Sequence, residues 1–251
     1  MFKLLEKKNF SSLFFTQFFS TLNVNLVKNV FIITLMYKLW NFNQSLNSVV
    51  SFAFLFFMLP FFIFAGFVGQ IGDKYNKVKI TRILKLSEIV LLCFLGIVCY
   101  LHNNFLMYLI VFLLGLEISC FDVIKYSILP NVVEKEKLLT GNAYFEATNY
   151  LSIILSISFG VFLFLNLSQF IIFAMSIIFS IFSYYYSLKM DTSLFEENQK
   201  IIKINKNVIS ETFNCIKRLR RNGEIFLCTT GIAWFYFFIY TFILIRCLFL
   251  I

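Results

Sequence analysis

The sequence is poor in charge. Only 14% of its 251 residues are Asp, Glu, Lys or Arg while 60% are hydrophobic, a balance that excludes a soluble globular domain. Histidine is nearly absent. The single His102 falls in a short predicted loop, and no acid–base or nucleophile–base pair can be assembled around it, so no catalysis by this chain is expected. Cysteines occur at 93, 99, 120, 215, 228 and 247 without a C-x-x-C pair, mostly inside apolar runs; they read as small buried hydrophobes, not as a disulfide frame or metal site. No cofactor is called for. Lys3, Lys7 and Lys8 precede an apolar run that lacks a small-residue cleavage site, so this run reads as an uncleaved first helix. Two prolines and 36 phenylalanines, beside abundant Ile, Lys and Asn, carry the bias of an AT-rich genome.

What the chain does have is long apolar runs. A bilayer-spanning helix needs roughly 20 such residues, and seven runs qualify: about 10–36, 46–68, 83–101, 105–125, 142–165, 168–188 and 226–250. The fold class is therefore an all-α polytopic membrane protein. Residues 1–188 are expected to form a six-helix transmembrane bundle, 189–225 a basic amphipathic linker, and 226–251 a seventh transmembrane helix. Net charge is +9, which in a soluble chain would suggest nucleic acid. Here nineteen of the 22 Lys and Arg residues fall in the N-terminus, the segment after the second run, residues 125–137 and residues 189–221, and Lys38 alone falls on the other side. That asymmetry orients the chain with its N-terminus in the cytoplasm and gives nucleic acid no role.

Within the linker, Ile201, Ile204, Val208, Ile209, Phe213, Ile216 and Leu219 recur at helical spacing, with Lys and Arg filling much of the remainder. A helix lying on the cytoplasmic leaflet fits this pattern, as does a charged linker with chance periodicity. At about 1 kcal/mol per well-placed cation, such a helix would be drawn to anionic headgroups.

Polar side chains at membrane depth are costly and usually face a bundle interior or a water-filled cavity. In the first run Gln17, Thr21, Asn25, Lys28 and Asn29 project to one side, with Asn23 pointing away. The stripe either lines a cavity where Lys28 meets a phosphate or carboxylate, or glues helices together. The fourth run carries Glu117, which needs a distant cation such as Lys28 or is neutral, and then Asp122 and Lys125 three residues apart and able to pair. In the fifth, Asn142, Glu146, Asn149, Ser156 and Gly160 share one side; Ser156 and Gly160 suit close helix approach. Arg246 lies near the far end of the last run and is placed to snorkel.

The most specific stretch is 66–88, a polar and basic hinge between two apolar runs. Its Gly69, Asp73, Lys74, Asn76, Lys77 and Lys79 resemble the loop between helices 2 and 3 of the major facilitator superfamily, usually G-x-x-x-D-R/K-x-G-R/K-R/K. Asn76 stands where that pattern has a second glycine, and Asn enters the left-handed region at modest cost. The resemblance implies that Asp73 helps latch the N-terminal half to a helix of a C-terminal half.

Further strings resemble one family of that superfamily, the bacterial lysophospholipid transporters, which also occur fused to the acyltransferase that re-acylates their substrate. They are TQFFSTLNVNLVKN (16–29), GQIGDKYNKVK (69–79), KLSEI (85–89), IKYSILP (124–130), GNAYFEA (141–147) and RRNGE (220–224), in the family's order. The resemblance implies movement of lysophospholipid, notably the ethanolamine type, across the bacterial inner membrane for re-acylation in the cytoplasmic leaflet. By position, the family's polar motif on the first helix falls on Asn23, Asn25, Lys28 and Asn29, and its acidic position on the fifth helix on Glu146. Val24 stands where that motif usually has an acid, and Asp122 and Val123 where G-P often precedes I-K-Y.

On this reading Asn25, Lys28, Asn29, Glu117, Glu146 and Asn149 handle a membrane-lipid substrate by alternating access. The superfamily plan has twelve helices in two halves. Seven are read here, so the partners in view are a separately encoded C-terminal half or an acyltransferase. Two other readings remain: a transporter of another amphiphile or drug, and a truncated, non-transporting remnant or membrane anchor for an acyltransferase.

Overall fold

The structure is a computed structural model that describes residues 4–39, 46–100, 104–193 and 207–249. Residues up to 204 form one compact unit and residues 205–251 another. The first holds α1 (Lys8–Leu39), α2 (Leu46–Lys74), α3 (Lys77–Tyr100), α4 (Asn104–Val132), α5 (Leu138–Asn166) and α6 (Gln169–Leu188); the second holds α7 (Val208–Arg220) and α8 (Gly223–Phe249). His102 and residues 200–206 lie outside the described residues, as do the side chains of Lys38 and Arg246.

Stretches of α2, α4 and α6, and α5 with the short turn before it, are long and apolar enough to cross a membrane: Phe52–Lys74, Phe105–Val132, Ile171–Leu188 and Lys135–Asn166. Helices α1 and α3, with 32 and 24 residues, also exceed the roughly 20 residues a span needs. They are less apolar because their buried faces carry polar groups: Thr16, Gln17, Ser20 and Asn23 on α1, and Thr81, Lys85 and Glu88 on α3.

In the first unit α1 packs against α5 and α6, α2 against α4, and α3 against both α4 and α6. The Phe10 ring stacks on Phe145 with centroids 5.9 Å apart, and farther along Asn29 reaches Ser156. Helices α1 and α5 therefore run in the same direction. Small residues permit these close contacts. Buried positions on α5 are Gly141, Phe145, Thr148, Ser152, Ser156, Gly160 and Leu163, and on α6 Ser176, Ser180, Ser183 and Ser187 form a serine stripe. Ser183 Oγ donates to the Thr16 carbonyl at 2.9 Å, tying α6 to α1. Where α2 crosses α4, a Cβ on Gly115 would lie 2.3 Å from the Phe57 carbonyl oxygen, and one on Gly72 would lie 2.7 Å from Ile124 Cδ1.

The stretch expected to be a polar hinge is almost wholly helical. Helix α2 continues through Lys74 and α3 begins at Lys77, leaving only Tyr75 and Asn76 between them. The physical reason is a cap. Asn76 Oδ1 accepts hydrogen bonds from the backbone N–H groups of Val78 and Lys79 at 3.0 and 3.1 Å, satisfying donors that the first turn of α3 leaves open. Its Nδ2 donates to the Thr192 carbonyl at 3.0 Å. Asn76→Ala is expected to cost about 1 kcal/mol through the cap alone, read as a lower denaturation midpoint, with Asn76→Asp retaining most of the cap.

Helix α4 likewise runs past the expected end at 125 to Val132, with Pro130 in its last turn. A single 3-10 turn, Lys135–Lys137, connects it to α5.

One end of the bundle is cross-tied. Lys7 and Lys137 each place Nζ 2.6 Å from a Glu134 carboxylate oxygen. Those hydrogen bonds, first from Lys137 and then from Lys7, lower the pKa of the Glu134 carboxyl to about 2. The Asp191 N–H donates to Asn9 Oδ1 at 3.0 Å, and Lys77 Nζ donates to the Ser127 carbonyl at 3.0 Å. Arg82 donates to the carbonyls of Ser187, Leu188 and Met190 at 3.4, 3.0 and 2.8 Å, placing a cation on the C-terminal carbonyls of α6 where the helix dipole favours it. The N-terminus, the α2–α3 turn, the α4–α5 connection and the segment after α6 thus meet at one end.

Candidate functional site

Helix α1 presents two polar faces to different surroundings. Its inner face meets a buried ionic cluster. Lys85 Nζ lies 2.7 Å from Glu117 Oε1, 3.1 Å from Glu88 Oε2 and 2.6 Å from Ser20 Oγ, which uses all three ammonium hydrogens. Asn23 Nδ2 donates to Glu88 Oε1 at 2.7 Å, and Lys85 also sits 3.9 Å from the centroid of the Phe121 ring. All these charged groups are buried. The cluster joins α1, α3 and α4.

Two expectations change here. Glu117 does find a distant cation, but it is Lys85 on α3, not Lys28. Lys85 and Lys125 were counted with the loop charges, yet Lys85 is fully buried and Lys125 is 1% exposed, paired with Asp122 at 2.6 Å. The orientation tally loses two cations and keeps its sign. Lys85 and Glu88 were legible in another way: Val78, Thr81, Lys85, Glu88, Leu92 and Leu95 are all buried and follow one another at spacings of three and four. Two charged residues in the middle of such a stripe must face the core and need partners.

The outer face of α1 holds Asn25, Lys28 and Asn29, all half-buried. Lys28 Nζ donates to Asn25 Oδ1 at 2.9 Å and lies 5.1 and 6.0 Å from the ring centroids of Phe57 and Phe54 on α2. Asn25 Nδ2 donates to the Thr21 carbonyl, and Asn29 Nδ2 reaches Ser156 Oγ on α5 at 3.4 Å. Gln17 and Thr21, expected on the same stripe, are sunk into the bundle, Gln17 donating to the Phe145 carbonyl at 2.9 Å. Asn23 points away from the stripe, towards Glu88.

Lys28 differs from Lys85 and Lys125, the two fully buried lysines of this unit among the described residues. Lys85 and Lys125 each have a carboxylate, whereas Lys28 makes no ion pair among the described residues. Its environment is an amide oxygen and two aromatic faces, which stabilise a cation without neutralising it.

Glu146 stands apart from this group. Its carboxylate accepts a hydrogen bond from the Tyr126 hydroxyl of α4, and the half-buried Asn149 follows it along α5. Ser156, which meets Asn29, lies ten residues beyond Glu146, so at 1.5 Å per residue the two layers are roughly 15 Å apart along the helix. The structure therefore brings Asn25, Lys28 and Asn29 together, places Glu146 and Asn149 nearer the tied end, and seals Glu117 in the inner cluster. In the motif across the α2–α3 junction, Asp73 and Lys79 are exposed, Lys74 lies 5.4 Å from the Tyr75 ring centroid, and Asp73 makes no ion pair among the described residues. A Cβ on Gly69 would meet nothing within 4 Å. Among the described residues no group of His, Cys, Asp and Glu could hold a metal ion.

Long apolar helices gathered round buried ionic groups are the architecture of a polytopic membrane protein. The chain belongs to the major facilitator superfamily, whose family model matches residues 13–250. It is similar to the lysophospholipid transporters LplT of Serratia proteamaculans (strain 568) and of Yersinia pestis (strain Pestoides F). Each is 31% identical over 102 residues, which is 39% of this chain and 23% of the relative. No solved structure matches the chain.

Proposed function

We propose that the chain takes part in moving lysophospholipid, of the lysophosphatidylethanolamine type, across the bacterial inner membrane, with its N-terminus in the cytoplasm. Lys28 carries the reading. Its ammonium, lacking a carboxylate, receives the headgroup phosphate, and Asn25 and Asn29 orient it from the same face of α1. Phe54 and Phe57 beside it offer an apolar wall for the first carbons of the acyl chain. Support also comes from the similarity to proteins named as lysophospholipid transporters. Movement proceeds by alternating access, in which two halves rock about a midplane site. The other half is supplied by a further polypeptide segment, and an acyltransferase consumes the delivered lipid. The chain itself performs no chemistry.

Because Glu146 lies roughly 15 Å from the Lys28 layer, one ethanolamine headgroup cannot bridge both. Glu146 serves as a separate station nearer the tied end, where its carboxylate attracts the ammonium. The chain, reconstituted in proteoliposomes with the membrane partner that copurifies, tests this reading. Lys28→Ala is expected to weaken half-saturation by lysophosphatidylethanolamine about 10- to 100-fold, the loss of one hydrogen bond to a charged group, while Lys28→Arg retains most activity. Unchanged lysophospholipid movement in Lys28→Ala, or preference for a small hydrophilic solute, would sink the assignment.

A further inference from the structure

The second unit carries a surface that the transport reading leaves unused. Helix α7 is capped by Asn207, whose Oδ1 accepts from the Ser210 N–H at 3.1 Å, and is stiffened by Arg218 and Glu211 paired at 2.8 Å. One side of the helix is apolar and open: Phe213, Ile216 and Leu219 are 67%, 49% and 37% exposed. Lys217 lies four residues after Phe213, at the edge of that apolar arc; Arg220, the last residue of the helix, lies seven after it on the same face, and Arg221 follows directly on the Lys217 side. Lys217, Arg220 and Arg221 are exposed and make no ion pair among the described residues.

What lies next to this face follows from the chain itself. Helix α8 begins at Gly223, with only Arg221 and Asn222 between it and α7, and runs 27 residues, more than the roughly 20 that cross a bilayer. The connection is tight: the N–H of Arg221 donates to the Arg218 carbonyl at 3.2 Å, that of Asn222 to Leu219 at 3.1 Å, and that of Phe226 to Asn222 at 2.9 Å. The last turn of α7 is therefore held where α8 enters the membrane. An exposed apolar arc with cations at its edge, fixed at a bilayer surface, has the chemistry of a helix that lies among anionic headgroups.

We infer that α7 is a lipid-binding helix that seats Phe213, Ile216 and Leu219 in the bilayer surface while Lys217, Arg220 and Arg221 bind anionic phospholipid headgroups. A chain segment or partner protein on the same face would need acidic groups at the rim, whereas the anionic leaflet supplies them at the point where α8 enters. The inference uses the membrane insertion of α8 and is independent of what the first unit transports.

The test uses the full chain with Phe213→Trp as its probe, Trp40 and Trp234 being replaced by Phe. It is reconstituted in vesicles of phosphatidylcholine with and without phosphatidylglycerol, the acyl chains brominated near the headgroup. Quenching of the introduced indole is expected to be strong with phosphatidylglycerol and weaker without it or at high salt. The ratio of seated to unseated helix should fall about fivefold for each of Lys217→Gln, Arg220→Gln and Arg221→Gln. Equal quenching in neutral and anionic vesicles would overturn the electrostatic part. Blue-shifted emission without bromine quenching would place α7 against protein and overturn the inference. Phe213→Trp with Ile216→Ser is the control for apolar seating and should lose quenching in both lipids.

Discussion

Lys85→Met is expected to be the most damaging single substitution in the bundle, lowering stability by about 3–5 kcal/mol. The side chain is fully buried and holds two carboxylates and Ser20 at 2.6–3.1 Å, so its removal leaves Glu88 and Glu117 as neighbouring buried acids with no cation between them. Asn23 still reaches Glu88, but a neutral amide does not replace an ammonium. Adding Glu88→Gln and Glu117→Gln to the same chain should recover most of the loss, because removing all three charges removes their desolvation cost together with their attraction. Denaturation of the purified protein in detergent, followed by helix content, reads both effects. A Lys85→Met chain that melts like the unaltered protein would mean that the cluster does not hold α1, α3 and α4 together.

Gly115→Ala is expected to cost about 1–3 kcal/mol, the usual penalty for overpacking a dense interior. Its new Cβ would sit 2.3 Å from the carbonyl oxygen of Phe57 and 3.2 Å from that residue's Cα, so the obstruction is backbone and cannot rotate away. Helix α2 would have to shift off α4. Phe57 is also the ring nearest Lys28, so under the proposed function the same shift should weaken lysophospholipid binding without touching a polar residue. Gly96→Ala is the matched control, since a Cβ there meets nothing within 4 Å; it should melt no lower than the unaltered chain. Equal melting of the two variants would count against the close α2–α4 crossing.

The sequence made the helices visible because membrane spans announce themselves by apolar length, and the seven runs correspond to α1–α6 and α8. Their ends were harder to read. Lys77, Lys79, Arg82 and Lys85 looked like loop charge, but α3 starts at Lys77 because Asn76 caps it, and Arg82 and Lys85 spend their charge on α6 carbonyls and on Glu117. Charge count alone does not tell a solvated lysine from one that faces the core. The three-and-four spacing of Thr81, Lys85, Glu88 and Leu92 does. In the candidate site, the pairing of Asp122 with Lys125 and the outward turn of Asn25, Lys28 and Asn29 from Asn23 followed from helix geometry. The separation of Glu146 from Lys28 did not, because it depends on how far along each other α1 and α5 are set, and no single helix encodes that.

The ties at one end of the bundle have an evolutionary consequence. Arg82, Asn76 and Lys77 all donate to main-chain carbonyls: those of Ser187, Leu188, Met190, Thr192 and Ser127. Every residue type brings a carbonyl, so for these bonds the accepting positions are free to drift while the three donors are not. Among homologues, the donor helix should hold its letters and the receiving segments should vary, an asymmetry that would mark this rim in an alignment without any structure.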